Sequence, residues 1–198
     1  ETIQKTSARL RALSEKPQQP SEPEQKSAPP VELAEPLVEA RGRAPSAPDL
    51  SHALAHLERE RFSLALDAMD GLDSEQALDV DALLLRAALL THSGQLDEGE
   101  RVSRHLLELD ELNAGAHFLL ALCAERRGDT SSAAEHDRTA SYLDVTFSMP
   151  HLHLGVLTRR AGDRATARRE LERAVELLPR EDAGRILMFG GGFTRDAL

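Results

Sequence analysis

The chain has 198 residues, 40% of them hydrophobic, yet only six are aromatic and none is tryptophan. A core of Leu and Ala suits helix packed on helix and argues against a β-sandwich, which draws on β-branched and aromatic side chains. A formal net charge of −10 excludes a general nucleic-acid binder, because phosphate contacts need clustered Lys and Arg.

Residues 1–16 read as a short helix with Ile3, Leu10 and Leu13 roughly on one side, the tail of an upstream domain. Alone it is too short to be stable in water. There is no charged-then-apolar leader pattern and no initiator Met, which reads as a piece of something longer or a processed product. Residues 17–45 read as a Pro-rich disordered linker, since eight of the ten prolines fall between Pro17 and Pro48. Such a stretch buries too little apolar surface to offset its ordering entropy. Its Pro17-x-x-Pro20-x-x-Pro23 spacing is common in linkers and is weak as a docking motif.

From residue 46 the chain repeats itself every 34 residues. In the last copy His151-x-x-Leu154-Gly155-x-x-Thr158 is followed by Ala167-x-x-x-Leu171, Ala174 and Pro179; one period earlier stand Leu120, Ala121, Gly128, Ala133 and Ala140. This is the spacing of the tetratricopeptide repeat (TPR), with weaker residues at the aromatic places. The expectation is an all-α TPR solenoid of helix-turn-helix units, four of them over residues 46–180, followed by a capping loop and a truncated helix at 181–198. Small residues let paired helices approach. Gly128 and Gly162 supply the left-handed residue that closes a helix, and Asp129 and Asp163 then cap the next one. The first unit has Glu60 at the turn-glycine place; the second has Gly99 for an alanine and Arg86 at an apolar place. The glycine-rich Gly190-Gly191-Gly192 reads as a loop, because no βαβ unit surrounds it to make a phosphate site.

No catalytic set and no cofactor motif is present. His52 and His56 share a helix face, but the sequence places no third metal ligand beside them. Lone Cys123 cannot form an internal disulfide, fits a reducing compartment and reads as a core residue. No apolar run approaches the roughly 18 residues of a membrane span. These features point to a cytoplasmic, non-enzymatic chain whose work is a surface. In this repeat class the first helix of each pair lines a groove, here Leu84, Ala88 and His92; Phe118, Leu122, Glu125 and Arg126; Leu152, Val156, Arg159 and Arg160. That predicts an apolar floor with a basic rim of Arg126, Arg159 and Arg160, suited to an amphipathic helix carrying acidic residues.

Ala116-His117-Phe118-Leu119-Leu120-Ala121-Leu122, Gly128-Asp129, Ala140-Ser141-Tyr142-Leu143-Asp144, His151-Leu152-His153-Leu154-Gly155 and Gly191-Gly192-Phe193-Thr194-Arg195 together resemble the C-terminal repeat extension of CheR-type chemotaxis receptor methyltransferases. The chain departs from that pattern at Val145 and at Met149-Pro150. The resemblance implies an S-adenosylmethionine-dependent domain upstream that methylates receptor glutamates. It implies for this chain a docking or regulatory role toward a chemoreceptor, a chemosensory signalling protein or its own catalytic domain. The alternative is a TPR scaffold or adaptor of an unrelated bacterial assembly.

Overall fold

The computed structural model describes residues 47–194, and none of these lies in a strand. The expected helix at 1–16, the linker at 17–45 and most of the truncated helix after Thr194 lie outside the described residues. Four helix pairs follow one another: α1 (Ser51–Leu57) with α2 (Phe62–Asp70), α3 (Val80–His92) with α4 (Leu96–Leu109), α5 (Ala114–Arg126) with α6 (Thr130–Leu143), and α7 (Ser148–Arg160) with α8 (Arg164–Leu177). A 3-10 turn at Leu178–Arg180, holding Pro179, leads to α9 (Ala183–Phe189). The chain has the TPR solenoid fold.

Local chemistry explains the boundaries. Side chains of Asp79, Asn113, Asp129 and Asp163 accept hydrogen bonds from backbone N–H groups at the starts of α3, α5, α6 and α8. Each satisfies a donor that has no partner inside its helix. The turns inside the second to fourth pairs carry Gly94, Gly128 and Gly162 at φ of +87°, +84° and +87°. The first pair makes the same turn with Glu60 at φ +53°, the one described non-glycine residue in that region.

Packing follows from small residues at the crossings. Ala121, Ala133 and Ala140 are fully buried, and a Cβ on Gly155 would stand 2.7 Å from the Leu171 side chain. Gly99 fills an alanine place because a Cβ there would meet the buried Thr91 hydroxyl at 2.7 Å. Arg86 sits at an apolar place yet reaches out to Asp70 at 2.8 Å. Ala133→Leu or Ala167→Leu is expected to overpack a crossing and cost about 1–3 kcal/mol, read from chemical denaturation.

The segment after the repeats departs from a capping loop. Asp182 caps it by accepting from Arg185 N at 3.0 Å, and Ala183–Phe189 is helical. It folds back against α3 and α1, with Ile186 and Phe189 buried. A cap three residues ahead of the bonded amide, just before an apolar run, is a helix-start signal that outweighs the following glycines. Glu181, itself buried, accepts from Ser148 N at 2.8 Å and so caps α7, whose own preceding residue is Phe147.

Candidate partner-binding groove

The first helices of the last three pairs share one hollow of about 250 Å³. His92 enters from α3; Phe118, Leu122, Glu125 and Arg126 from α5; Leu152, Val156 and Arg160 from α7. Helix spacing puts them there, since residues three and four apart lie on one face. Three other expected groove residues go elsewhere. Ala88 is fully buried behind the face. Leu84 faces a larger hollow, of about 690 Å³, on the other side of α9. Arg159 lies with Arg164 and Arg168 around Ala167, Leu171 and Val175 on the outer face of α8. Arg159 and Arg160 are consecutive, so a helix must aim them about 100° apart. Phe118 is only 2% exposed, because Phe147 and Phe189 cover it.

The basic rim is therefore smaller than the sequence suggests, and internally engaged. Arg126 Nη1 donates to the Thr91 carbonyl, and Arg160 Nη1 to Glu125. Glu125 also meets His153 Nε2 at 3.1 Å, and His153 Nδ1 stands 2.8 Å from Asp137 of α6. The last approach is close without meeting hydrogen-bond geometry, so the fully buried Asp137 has the His153 ring as its neighbour and, when that ring is protonated, as its counter-charge. Burial drives the Asp137 carboxyl up to about 6 while His153 pulls the other way. Burial alone would lower His153, but Asp137 and Glu125 outweigh it and hold the ring above its ordinary value. Burial likewise pushes Glu125 up, and His153 with Arg160 more than offsets that. Chemically, the groove wall is an ionic relay from Asp137 through His153 and Glu125 to Arg160.

His92 closes the other side of the hollow. Its ring is driven down to about 4 by burial, then by Arg126, with the Met188 and Phe189 backbones drawing it partly back. Elsewhere the repeat period pairs the same two positions twice, His117 with His136 at 3.1 Å and His151 with Glu170 at 2.8 Å. Burial lowers both histidines of the first pair. Cys123 is buried, within 3.6 Å of the Thr91 hydroxyl, and burial raises its thiol. Among the described residues no three His, Cys, Asp or Glu side chains gather as a metal cage. No described helix is long and apolar enough to cross a membrane.

The residues that sequence reasoning missed are Asp137, Phe147 and Phe189. Asp137 sits on a second helix among polar neighbours and carries no local mark of burial. Phe189 was visible as the end of an Ile186-x-x-Phe189 pair behind a capping Asp182.

No family model matches the chain. A stretch of 92 residues is 32% identical to a Pseudomonas putida (strain KT2440) protein described as a probable biofilm formation methyltransferase, WspC; the match covers 46% of this chain and 22% of that protein. The chain thus spans about a fifth of that relative's length. Among solved structures, a thermophilic TPR protein of Thermus thermophilus, TTC0263, superposes with a TM-score of 0.56 at 19% identity, covering 65% of this chain and 74% of that one. MamA from Desulfovibrio magneticus RS-1 superposes at 0.54 with 21% identity, over 67% and 75% of the two chains.

Proposed function

We propose that the chain is the protein-binding, regulatory module of a chemosensory receptor methyltransferase, and that it docks a chemoreceptor or a chemosensory signalling protein or restrains its own catalytic domain. The observation that carries this reading is the 92-residue likeness to a methyltransferase, falling on a chain with the TPR fold. The groove supports it: Leu122, Leu152 and Val156 offer an apolar floor, and Arg126 and Arg160 a basic edge. An amphipathic helix with acidic residues suits such a face, because its apolar stripe buries while its carboxylates compete for the arginines. In this reading methyl transfer belongs to a separate S-adenosylmethionine-dependent domain, and the repeats govern which receptor it meets.

The test is capture of partners from lysate of the source cell with the full chain as bait, identified by mass spectrometry. The expected result is a chemoreceptor or chemosensory protein, lost with Arg126→Glu plus Arg160→Glu and retained with Arg159→Glu, which faces elsewhere. Capture of an unrelated assembly alone would favour the scaffold reading. Measurable binding of S-adenosylmethionine by this chain would overturn the non-catalytic assignment.

A further inference from the structure

The concave face already has a tenant. Phe189 of α9 stands edge-on to Phe118 with ring centroids 5.7 Å apart, and lies 4.9 Å from Phe147, which itself meets Phe118 at 5.4 Å. The seat is cut for that ring. A Cβ on Gly115 would lie 2.6 Å from Phe189 Cζ, so the α5 helix carries a glycine in its first turn where any side chain would push the ring out. Glycine inside a helix costs about 0.5–1 kcal/mol relative to alanine, and the socket is what that glycine provides. The far end is fitted as closely. A Cβ on Gly191 would strike His92 Nδ1 at 2.7 Å, and one on Gly192 the Leu57 carbonyl at 2.7 Å.

Yet the tenant is enclosed on one side only. Open surface hollows of about 690 and 250 Å³ flank α9, each lined in part by Phe189. Leu187 and Met188 are only half-buried. His92 Nε2 is enclosed at the seam with no hydrogen bond of good geometry, and the nearby Met188 and Phe189 backbones compensate its burial only in part. Seven residues are also too few to hold a helix without their seat. The two ends differ in anchorage. At the start, Arg185 is held by Asp144 at 2.6 Å and lies 4.1 Å over the Phe147 ring. The end is held instead by close packing of the glycine turn on Leu57 of α1 and His92 of α3.

We propose that the face built by α1, α3 and α5, with Phe147 ahead of α7, is a receptor for a short helix bearing a branched aliphatic residue and, three positions on, a phenylalanine. Ala183–Phe189 is its resident copy in cis, and a partner helix of the same chemistry takes the seat by displacing it. The inference deepens the groove reading above but does not depend on who the partner is, so it is tested with this chain alone.

The probe is a fluorescent peptide copying residues 181–194, offered to the full chain. Wild type should bind it at least tenfold more weakly than a Phe189→Ala chain, whose own segment has lost its anchor. A peptide carrying the same Phe189→Ala change should not bind either chain. Gly115→Leu, which fills the socket, should abolish binding and free α9 while circular dichroism still reports folded repeats. Hydrogen exchange on wild type should show α9 amides opening well before those of α5 and α6. Exchange of α9 in step with α5, a Phe189→Ala chain that takes no peptide, or one that does not fold would each make α9 an integral core helix and overturn the proposal. Failure to capture a chemosensory protein, with peptide exchange intact, would sink the functional assignment and leave this one standing.

Discussion

Replacing His153 by leucine is expected to destabilise the chain by about 3–5 kcal/mol, the range for removing one partner of a buried ion pair. The loss comes from what remains. Asp137 is fully buried and its oxygens lean on the imidazolium rather than on well-angled hydrogen bonds, so without His153 it keeps a carboxyl with no counter-charge. Leucine restores volume but not charge. Asp137→Leu together with His153→Leu should recover most of the loss, because apolar replacement of a whole buried pair is often neutral or better. Denaturant midpoints of the two single variants and the double variant would check this as a cycle.

The same pair sets a pH signature. A histidine raised by folding contributes stability that is full below its unfolded value and is lost as pH rises through its folded value. His153 is raised, and so is Asp137, to about 6; both slopes therefore run downward with rising pH. His92, driven down to about 4, runs the other way, stabilising above its unfolded value and failing as pH falls toward 4. The opposing slopes overlap in acid. Of the three, His153 is the one whose folded value lies above the ordinary histidine value. Wild type should therefore lose thermal stability as pH rises past the ordinary histidine value, and the double variant Asp137→Leu with His153→Leu should lose that slope. A sloping profile in that variant would place the effect on other groups.

Phe118→Ala should cost about 3–5 kcal/mol, as for large core aromatics truncated to alanine. Its ring is the hub of the aromatic cluster, meeting Phe147 at 5.4 Å, Phe189 at 5.7 Å and the His153 ring at 6.0 Å. The change removes one wall of the α9 seat and one neighbour of the ionic relay. Circular dichroism of the melted and native states should show the α-helical array intact at low temperature with a lowered melting point. A cost below about 1 kcal/mol would mean the cavity collapses freely and the cluster is not a core.

The TPR fold was legible because its grammar is local. Asp129 and Asp163 sit one residue past Gly128 and Gly162, and each caps the helix it precedes; nothing distant is needed to read that. Glu60 shows the limit of the rule, since a turn can be imposed on a residue that resists it when both flanking helices are packed. The groove was legible in part. Helix phase brought His92, Leu122, Leu152 and Val156 to one hollow, but phase is coarse, and Arg159 and Ala88 lie one step off the face. Engagement was not legible: that Arg126 reaches the Thr91 carbonyl or Arg160 meets Glu125 depends on contacts between residues about one repeat apart. The α9 fold-back was hidden for the same reason. Its determinants are Gly115 in one helix, His92 in another and Leu57 in a third, and no window of sequence contains all three.

A stack of helix pairs is a string of beads, each touching only its neighbours, and such strings come apart bead by bead from an end. Here Gly192 closes on the carbonyl of Leu57 in the first pair, while Glu181, a few residues earlier, caps the start of the last pair at Ser148. The string is knotted into a loop. Fraying of the first pair must break the closure, and so must fraying of the last. A cut in the chain beside Glu181 should leave every repeat intact and still turn one sharp melt into a staggered one.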